Sequence, residues 1–263
     1  MYDIEYHRPA SLNDAAALLA HGDNMLLAGG MSLIPSLKMR LSRHAGLVDL
    51  GALQDLAGIR REGNSLIIGA MTPHAEVAAS AEVQRAIPAL STLAEGIGDP
   101  LVRNRGTIGG SIANADPAAD YPAAVVGLGA TVLTNQREIS GDQFFTAVFE
   151  TALQAGEIIT AVRFPVPQKA AYSKLRQAAS RFAIVGVFVA KTSNTVRVAV
   201  TGAGPSVFRV AAAEVALTRH FDPAALDGLA IDTDGLNSDT HASAEYRAHA
   251  VVEMARRAVS AAR

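Results

Sequence analysis

The sequence predicts an α+β fold: two α/β subdomains, the first on a small parallel sheet and the second on a mixed or antiparallel one, then a C-terminal antiparallel sheet with helices. Three observations carry this. Strand and helix periods alternate between Ile4 and Leu50, short strands pair across turn residues between Ile59 and Ser140, and consecutive strand-like runs precede a helical C-terminus. The boundaries drawn from these changes of texture are 1–55, 56–165 and 166–263, the second of them marked by the stiff segment Pro165-Val166-Pro167.

The elements follow in order. Ile4 to Tyr6 reads as a strand, and Ser11, with Asp14 three residues on, caps a helix of Leu12, Ala15, Ala16, Leu18 and Leu19 that stops at Gly22. Met25 to Leu27 is a strand, Ser32 to Leu41 a helix and Gly46 to Leu50 a third strand, which implies right-handed crossovers in a small parallel sheet. Ile59–Glu62 with Ser65–Ala70, and Ala130–Thr134 with Glu138–Ser140, form hairpins around Gly63-Asn64 and Asn135-Gln136. Helices are expected at Pro73–Ala79 and Pro88–Glu95. The Gly-, Asn- and Asp-rich stretch from Gly96 to Asp120 reads as a long functional connection. Ile158–Phe164, Ala171–Arg176, Ala183–Lys191 and Val196–Thr201 are strands. Helices at Ala211–Thr218, Pro223–Leu229 and Ser243–Ala262 complete the chain, the last with Tyr246, Ala250, Met254 and Ala258 in one row.

Composition narrows the chemistry. At 263 residues, 49% hydrophobic and 18% charged, the chain can bury a large core. Lys and Arg number 23 against 25 Asp and Glu, and the cations are scattered, which disfavours nucleic acid as a partner. There is no cysteine, so disulfides, thiolate zinc, a thiol nucleophile and an iron–sulfur cluster held by this chain are excluded. Redox chemistry would have to come from a bound organic cofactor. The seven histidines show no metal-ligand spacing, and no metal site is expected. No membrane-length apolar run and no signal segment are visible, so a cytoplasmic protein is expected.

Two glycine pairs stand out. Leu26-Leu27-Ala28-Gly29-Gly30-Met31-Ser32-Leu33 sets a strand, two residues without side chains, a hydroxyl and a helix start in succession, and Thr107-Ile108-Gly109-Gly110-Ser111 repeats the arrangement. Main-chain N–H groups converging there would cradle a phosphate, and two such bends suit a diphosphate held from both sides. A tight turn or helix cap would use the same residues. Neither bend fits a P-loop, since Met31 and Ser111 stand where lysine is needed, and Gly202-Ala203-Gly204-Pro205-Ser206-Val207 misses the Rossmann pattern. A hydrolase nucleophile elbow is also missing.

Ala28-Gly29-Gly30-Met31-Ser32-Leu33, Gly98-Asp99-Pro100, Arg103, Gly106-Thr107-Ile108-Gly109-Gly110-Ser111, Asn114-Ala115-Asp116-Pro117 and Asp120-Tyr121-Pro122-Ala123-Ala124 together resemble the FAD-binding medium subunit of molybdenum hydroxylases. The ordered series runs from Tyr6-His7-Arg8-Pro9 through Tyr172-Ser173-Lys174-Leu175 to Ala244-Glu245-Tyr246-Arg247.

The resemblance implies FAD in this chain, with its diphosphate on Leu26–Leu33 and on Thr107, Gly109, Gly110 and Ser111. It places Asp120 against the ribose or adenine side, Lys174 beside the flavin ring, and Ile97, Ile158 and Ile159 alongside the cofactor. On local grounds Asp120 serves equally as a helix cap, Lys174 as an exposed strand lysine, and Ile158 and Ile159 as core. Phe182 stacks on or shields the flavin in the family's pattern, while its neighbours Ile184 and Val185 favour a core position. Met31 and Ser111 depart from the His and Asn or Asp common in relatives. No catalytic residue is expected in this chain. The implied role is electron transfer to an external acceptor, in assembly with a large molybdopterin subunit and a small subunit carrying [2Fe-2S] clusters, as a heterotrimer or a dimer of heterotrimers. The alternative is a stand-alone FAD-dependent oxidase or reductase acting on a small substrate.

Overall fold

The structure, a computed structural model, describes residues 1–263. Strands β1 (Glu5–His7), β2 (Asn24–Leu27) and β3 (Gly46–Asp49) form a parallel sheet in the order β1-β3-β2, with helices α1 (Leu12–Ala20) and α2 (Leu33–Lys38) as crossovers. Ser11 caps α1, its hydroxyl accepting from the Asp14 N–H at 3.1 Å. Helix α2 ends earlier than expected. Arg40 takes a left-handed φ of 59°, and the Leu41 and Arg40 amides turn back onto the Ser36 and Leu37 carbonyls at 2.9 and 3.1 Å. That closes a Schellman cap with arginine where glycine is usual, so the chain leaves the helix before Leu41.

The middle of the chain begins with β4 (Ile59–Glu62) and β5 (Ser65–Gly69), a hairpin turning at Gly63, whose φ is +56°. Helices α3 (His74–Ala79), α4 (Ala81–Ala86) and α5 (Pro88–Glu95) follow, with α4 unforeseen and capped by the Ser80 hydroxyl. Gly96–Asp120 is not one long connection, because it contains α6 (Pro100–Arg105) and α7 (Ile108–Asn114). Each starts on its own cap: Asp99 accepts from the Val102 N–H at 2.9 Å with Pro100 at the first helical position, and Thr107 accepts from the Gly110 N–H at 3.1 Å. Glycine density hid these caps. Helix α8 (Tyr121–Gly127), strands β6 (Thr131–Thr134) and β7 (Glu138–Ser140), helix α9 (Gly141–Phe144), the short pair β8 (Phe145–Ala147) and β9 (Glu150–Thr151), and β10 (Ile159–Pro165) complete the region. Its antiparallel sheet runs β4-β5-β10-β6-β7. A core of 28 buried residues, including Leu66, Leu90, Tyr121, Phe144 and Phe164, lies between that sheet and the helices.

The last part is an antiparallel sheet of β11 (Lys169–Arg176), β12 (Ala183–Lys191), β13 (Val196–Thr201) and β14 (Phe208–Arg209). It is covered by α10 (Ala211–Arg219) and α11 (Ala244–Ala261), and Pro223–Leu226 forms a short 3-10 turn in place of the longer helix expected there. Ala250, Met254 and Ala258 of the expected row are buried in an 18-residue cluster, but Tyr246 is exposed. This sheet grips the strip leading to α8. The Pro117 carbonyl accepts from the Gly202 N–H at 2.8 Å, the Ala118 carbonyl from the Ala183 N–H at 3.2 Å, and the Ala119 carbonyl from the Thr201 hydroxyl at 2.6 Å. No helix is long and apolar enough to cross a membrane.

Candidate dinucleotide site

β2 delivers the chain to the first glycine bend and α2 carries it away. Gly30 has a φ of +73°, a conformation costly for residues with a Cβ. From Ala28 through Leu33, no main-chain N–H has a hydrogen-bond acceptor in the chain. A run of open donors at a strand-to-helix junction is a seat for an anion, since such groups otherwise find partners.

The second bend lies directly against the first. A Cβ on Gly29 would overlap the Arg105 carbonyl and come within 2.8 Å of the Gly106 Cα, and one on Gly110 would lie 3.4 Å from the Ala28 Cβ. The two bends differ in one respect. Ile108 donates to the Thr72 carbonyl at 3.2 Å, Gly109 to Ala70 at 2.8 Å, Gly110 to the Thr107 hydroxyl at 3.1 Å and Ser111 to the Thr107 carbonyl at 3.0 Å. Its amides are spent on fixing α7 to the end of β5. The second bend therefore contributes close approach and the half-buried Ser111, while the open donors belong to the first. Gly109 is glycine because a Cβ there would sit 2.5 Å from the Ala70 Cβ.

Asp120, at the end of the strip, meets Lys174 of β11. The Lys174 ammonium lies 2.8 Å from one Asp120 oxygen and 3.3 Å from the Gly96 carbonyl, and the Tyr172 hydroxyl donates to the other Asp120 oxygen. The Asp120 side chain makes no cap bond to α8, and with side-chain exposures of 5% for Asp120 and 9% for Lys174 neither local alternative describes them. Burial pushes the Asp120 carboxyl up, opposed by the charge of Lys174. Residues two apart on a strand share a face, so the spacing of Tyr172 and Lys174 on β11 is the sequence signal that brings Tyr172 into this cluster.

The remaining positions divide. Ile158 and Ile159 are buried in two different hydrophobic clusters. Leu26, Leu27 and Leu33 are half-buried around the first bend, and Ile97 is half-buried on a turn whose carbonyl accepts from Arg103 at 3.0 Å. Met31 and Ser32 are exposed on the bend. Phe182 is 45% exposed, which corrects the core position expected from its neighbours. It sits at the tip between β11 and β12, after Arg181, whose φ is +63° and whose guanidinium reaches the Gly98 carbonyl at 3.2 Å.

An open-amide bend at the carboxyl end of a parallel sheet, closed by a second glycine bend, defines a dinucleotide-binding protein of α+β class. Residues 2–167 match the FAD binding domain in molybdopterin dehydrogenase, and residues 170–262 match the CO dehydrogenase flavoprotein C-terminal domain. The chain is 35% identical over 278 residues to the carbon monoxide dehydrogenase medium chain of Hydrogenophaga pseudoflava, covering 98% of this chain and 96% of that one. It is 34% identical over 272 residues to the nicotine 6-hydroxylase medium subunit of Paenarthrobacter nicotinovorans, covering 97% and 96%. Among solved structures, cyanide-inactivated Cu,Mo-CO dehydrogenase superposes with a TM-score of 0.90 at 35% identity, covering 98% of this chain and 96% of that one. Quinoline 2-oxidoreductase from Pseudomonas putida 86 gives 0.89 at 27% identity, covering 99% and 96%. The chain belongs to the FAD-binding medium subunits of the molybdenum hydroxylases, the flavoprotein components of oxidoreductases.

Proposed function

We propose that this chain holds FAD and passes electrons from the [2Fe-2S] clusters of a small partner subunit to an external acceptor. A large molybdopterin subunit would oxidise the substrate. The observation that carries this is the run of unpartnered amides from Ala28 through Leu33, packed against the Gly106–Gly110 segment. FAD fits that seat: a diphosphate needs converging N–H donors and a backbone free of side chains, and Gly29 and Gly30 supply both. When bound, FAD supplies the ability to take up electrons singly and give them up in pairs.

This chain's own residues hold and orient it. The first bend binds the diphosphate, with Ser32 and Ser111 offering hydroxyls at its margins. Lys174 brings a buried cation toward the ring side, largely balanced by Asp120, so the pair favours added negative charge only modestly. Ile97 lines the seat, and Phe182 is placed to screen the flavin from water. Asp120 anchors Lys174 and Tyr172. With no cysteine here, the cluster ligands belong to the partner, and a heterotrimer in the cytoplasm is the natural setting.

The test is a Gly29→Val variant made in the co-purified assembly. Its side chain would collide with the Arg105 carbonyl, so flavin content is expected to fall at least tenfold while molybdenum and iron are retained. A variant assembly with full flavin would contradict the proposal.

A further inference from the structure

Gly106 joins α6 to the Thr107 cap with φ −61° and ψ 138°, a conformation open to any residue. The backbone does not demand glycine there; a neighbouring side chain does. A Cβ at 106 would lie 2.6 Å from the His74 Nε2 and 2.9 Å from its Cδ2. The Gly106 Cα is also what a Cβ on Gly29 would approach to 2.8 Å, beside the Arg105 carbonyl. His74, Gly106 and Gly29 thus stack with no other side chain between them.

The imidazole is fixed in this stack by shape. The main-chain N–H of His74 donates to the Gly106 carbonyl at 2.9 Å, which ties the start of α3 to the bend, and Pro73 bridges to Thr107. The ring is buried against Tyr121, centroids 5.3 Å apart and tilted by 45°. Neither the His74 Nδ1 nor the Tyr121 hydroxyl has a hydrogen-bond partner. A polar ring kept in an apolar pocket with a nitrogen unsatisfied is costly, and its contact with Gly106 is what the pocket gains from it.

We propose that His74 is a positioning residue for the dinucleotide site: its ring sets how closely Gly106, and through it the Gly29 bend, can approach. This rests on the reading of Ala28–Leu33 as the diphosphate seat. The test is FAD titration of the full chain carrying His74→Ala, Gly106→Ala, both together, and His74→Phe. Each of the first two is expected to weaken FAD binding at least tenfold, one by leaving a void and the other by a clash. The double variant is expected to recover most of the loss, because the new Cβ enters the space the ring vacates. His74→Phe keeps a ring against Gly106 and is expected to bind within about threefold of the wild type. Wild-type affinity in His74→Ala, a double variant weaker than either single one, or a His74→Phe loss as deep as that of His74→Ala would each overturn the inference alone. A wild-type chain that takes up no FAD would overturn the seat as well.

Discussion

At the scale of single residues, two buried groups make the site sensitive to charge. His74 is held uncharged: burial, aided by the nearby Arg103, lowers its pKa from 6.5 to about 4. The unfolded chain then binds a proton on this ring before the folded chain does, so the stability it contributes is complete above pH 6.5 and is lost as pH falls toward about 4. The loss is about 3 kcal/mol. Denaturant titrations between those limits should show this slope in the wild type and a shallower one in His74→Phe. Asp120 and Lys174 are coupled in another way. Removing the lysine leaves a buried carboxylate with only Tyr172, and Lys174→Met is expected to cost about 3 to 5 kcal/mol in urea unfolding. Lys174→Met combined with Asp120→Asn should recover part of that, and a double variant no more stable than the single would show that the pair is not coupled.

At the scale of elements, caps and turns decide what the sequence reveals. Strands β12 and β13 and helix α5 match their expected ranges because alternation and the Pro88 start are local signals. The short helices α6 and α7 were hidden because six- and seven-residue helices in a glycine-rich run show too little periodicity. Asp99-Pro100 and Thr107 were their only markers. The meeting of the two glycine bends was legible as paired motifs. That only the first leaves its amides open was not, since it depends on Ala70 and Thr72 arriving from another element. The β6–β7 hairpin shows the same dependence. Glu157, buried before β10, accepts from Arg137 at 3.0 Å twice, from Thr134 at 2.8 Å and from the Gln154 N–H at 2.8 Å. The Arg137 hydrogen bonds lead in holding its pKa below the ordinary 4.5, so its stabilising contribution is present above that value and disappears as pH falls through the lowered one. Glu157→Gln should unfold more easily at neutral pH and show a flatter acid limb; an unchanged limb would mean that this carboxylate does not tie the hairpin to β10.

At the scale of the whole molecule, the parallel sheet and the C-terminal sheet both close on the stretch of the middle region from Arg105 to Asp120. The parallel sheet supplies the open bend, the middle region supplies the bend that closes on it, and the C-terminal sheet grips Pro117 to Ala119 and brings Lys174 to Asp120. Backbone amide hydrogen exchange of the full chain, with and without FAD, tests that arrangement most directly. The amides from Ala28 through Leu33 should exchange freely in the apoprotein and become protected at one FAD per chain, with little change at Ile108 to Ser111, whose N–H groups are already bonded. FAD binding that leaves Ala28 to Leu33 unprotected would contradict the account.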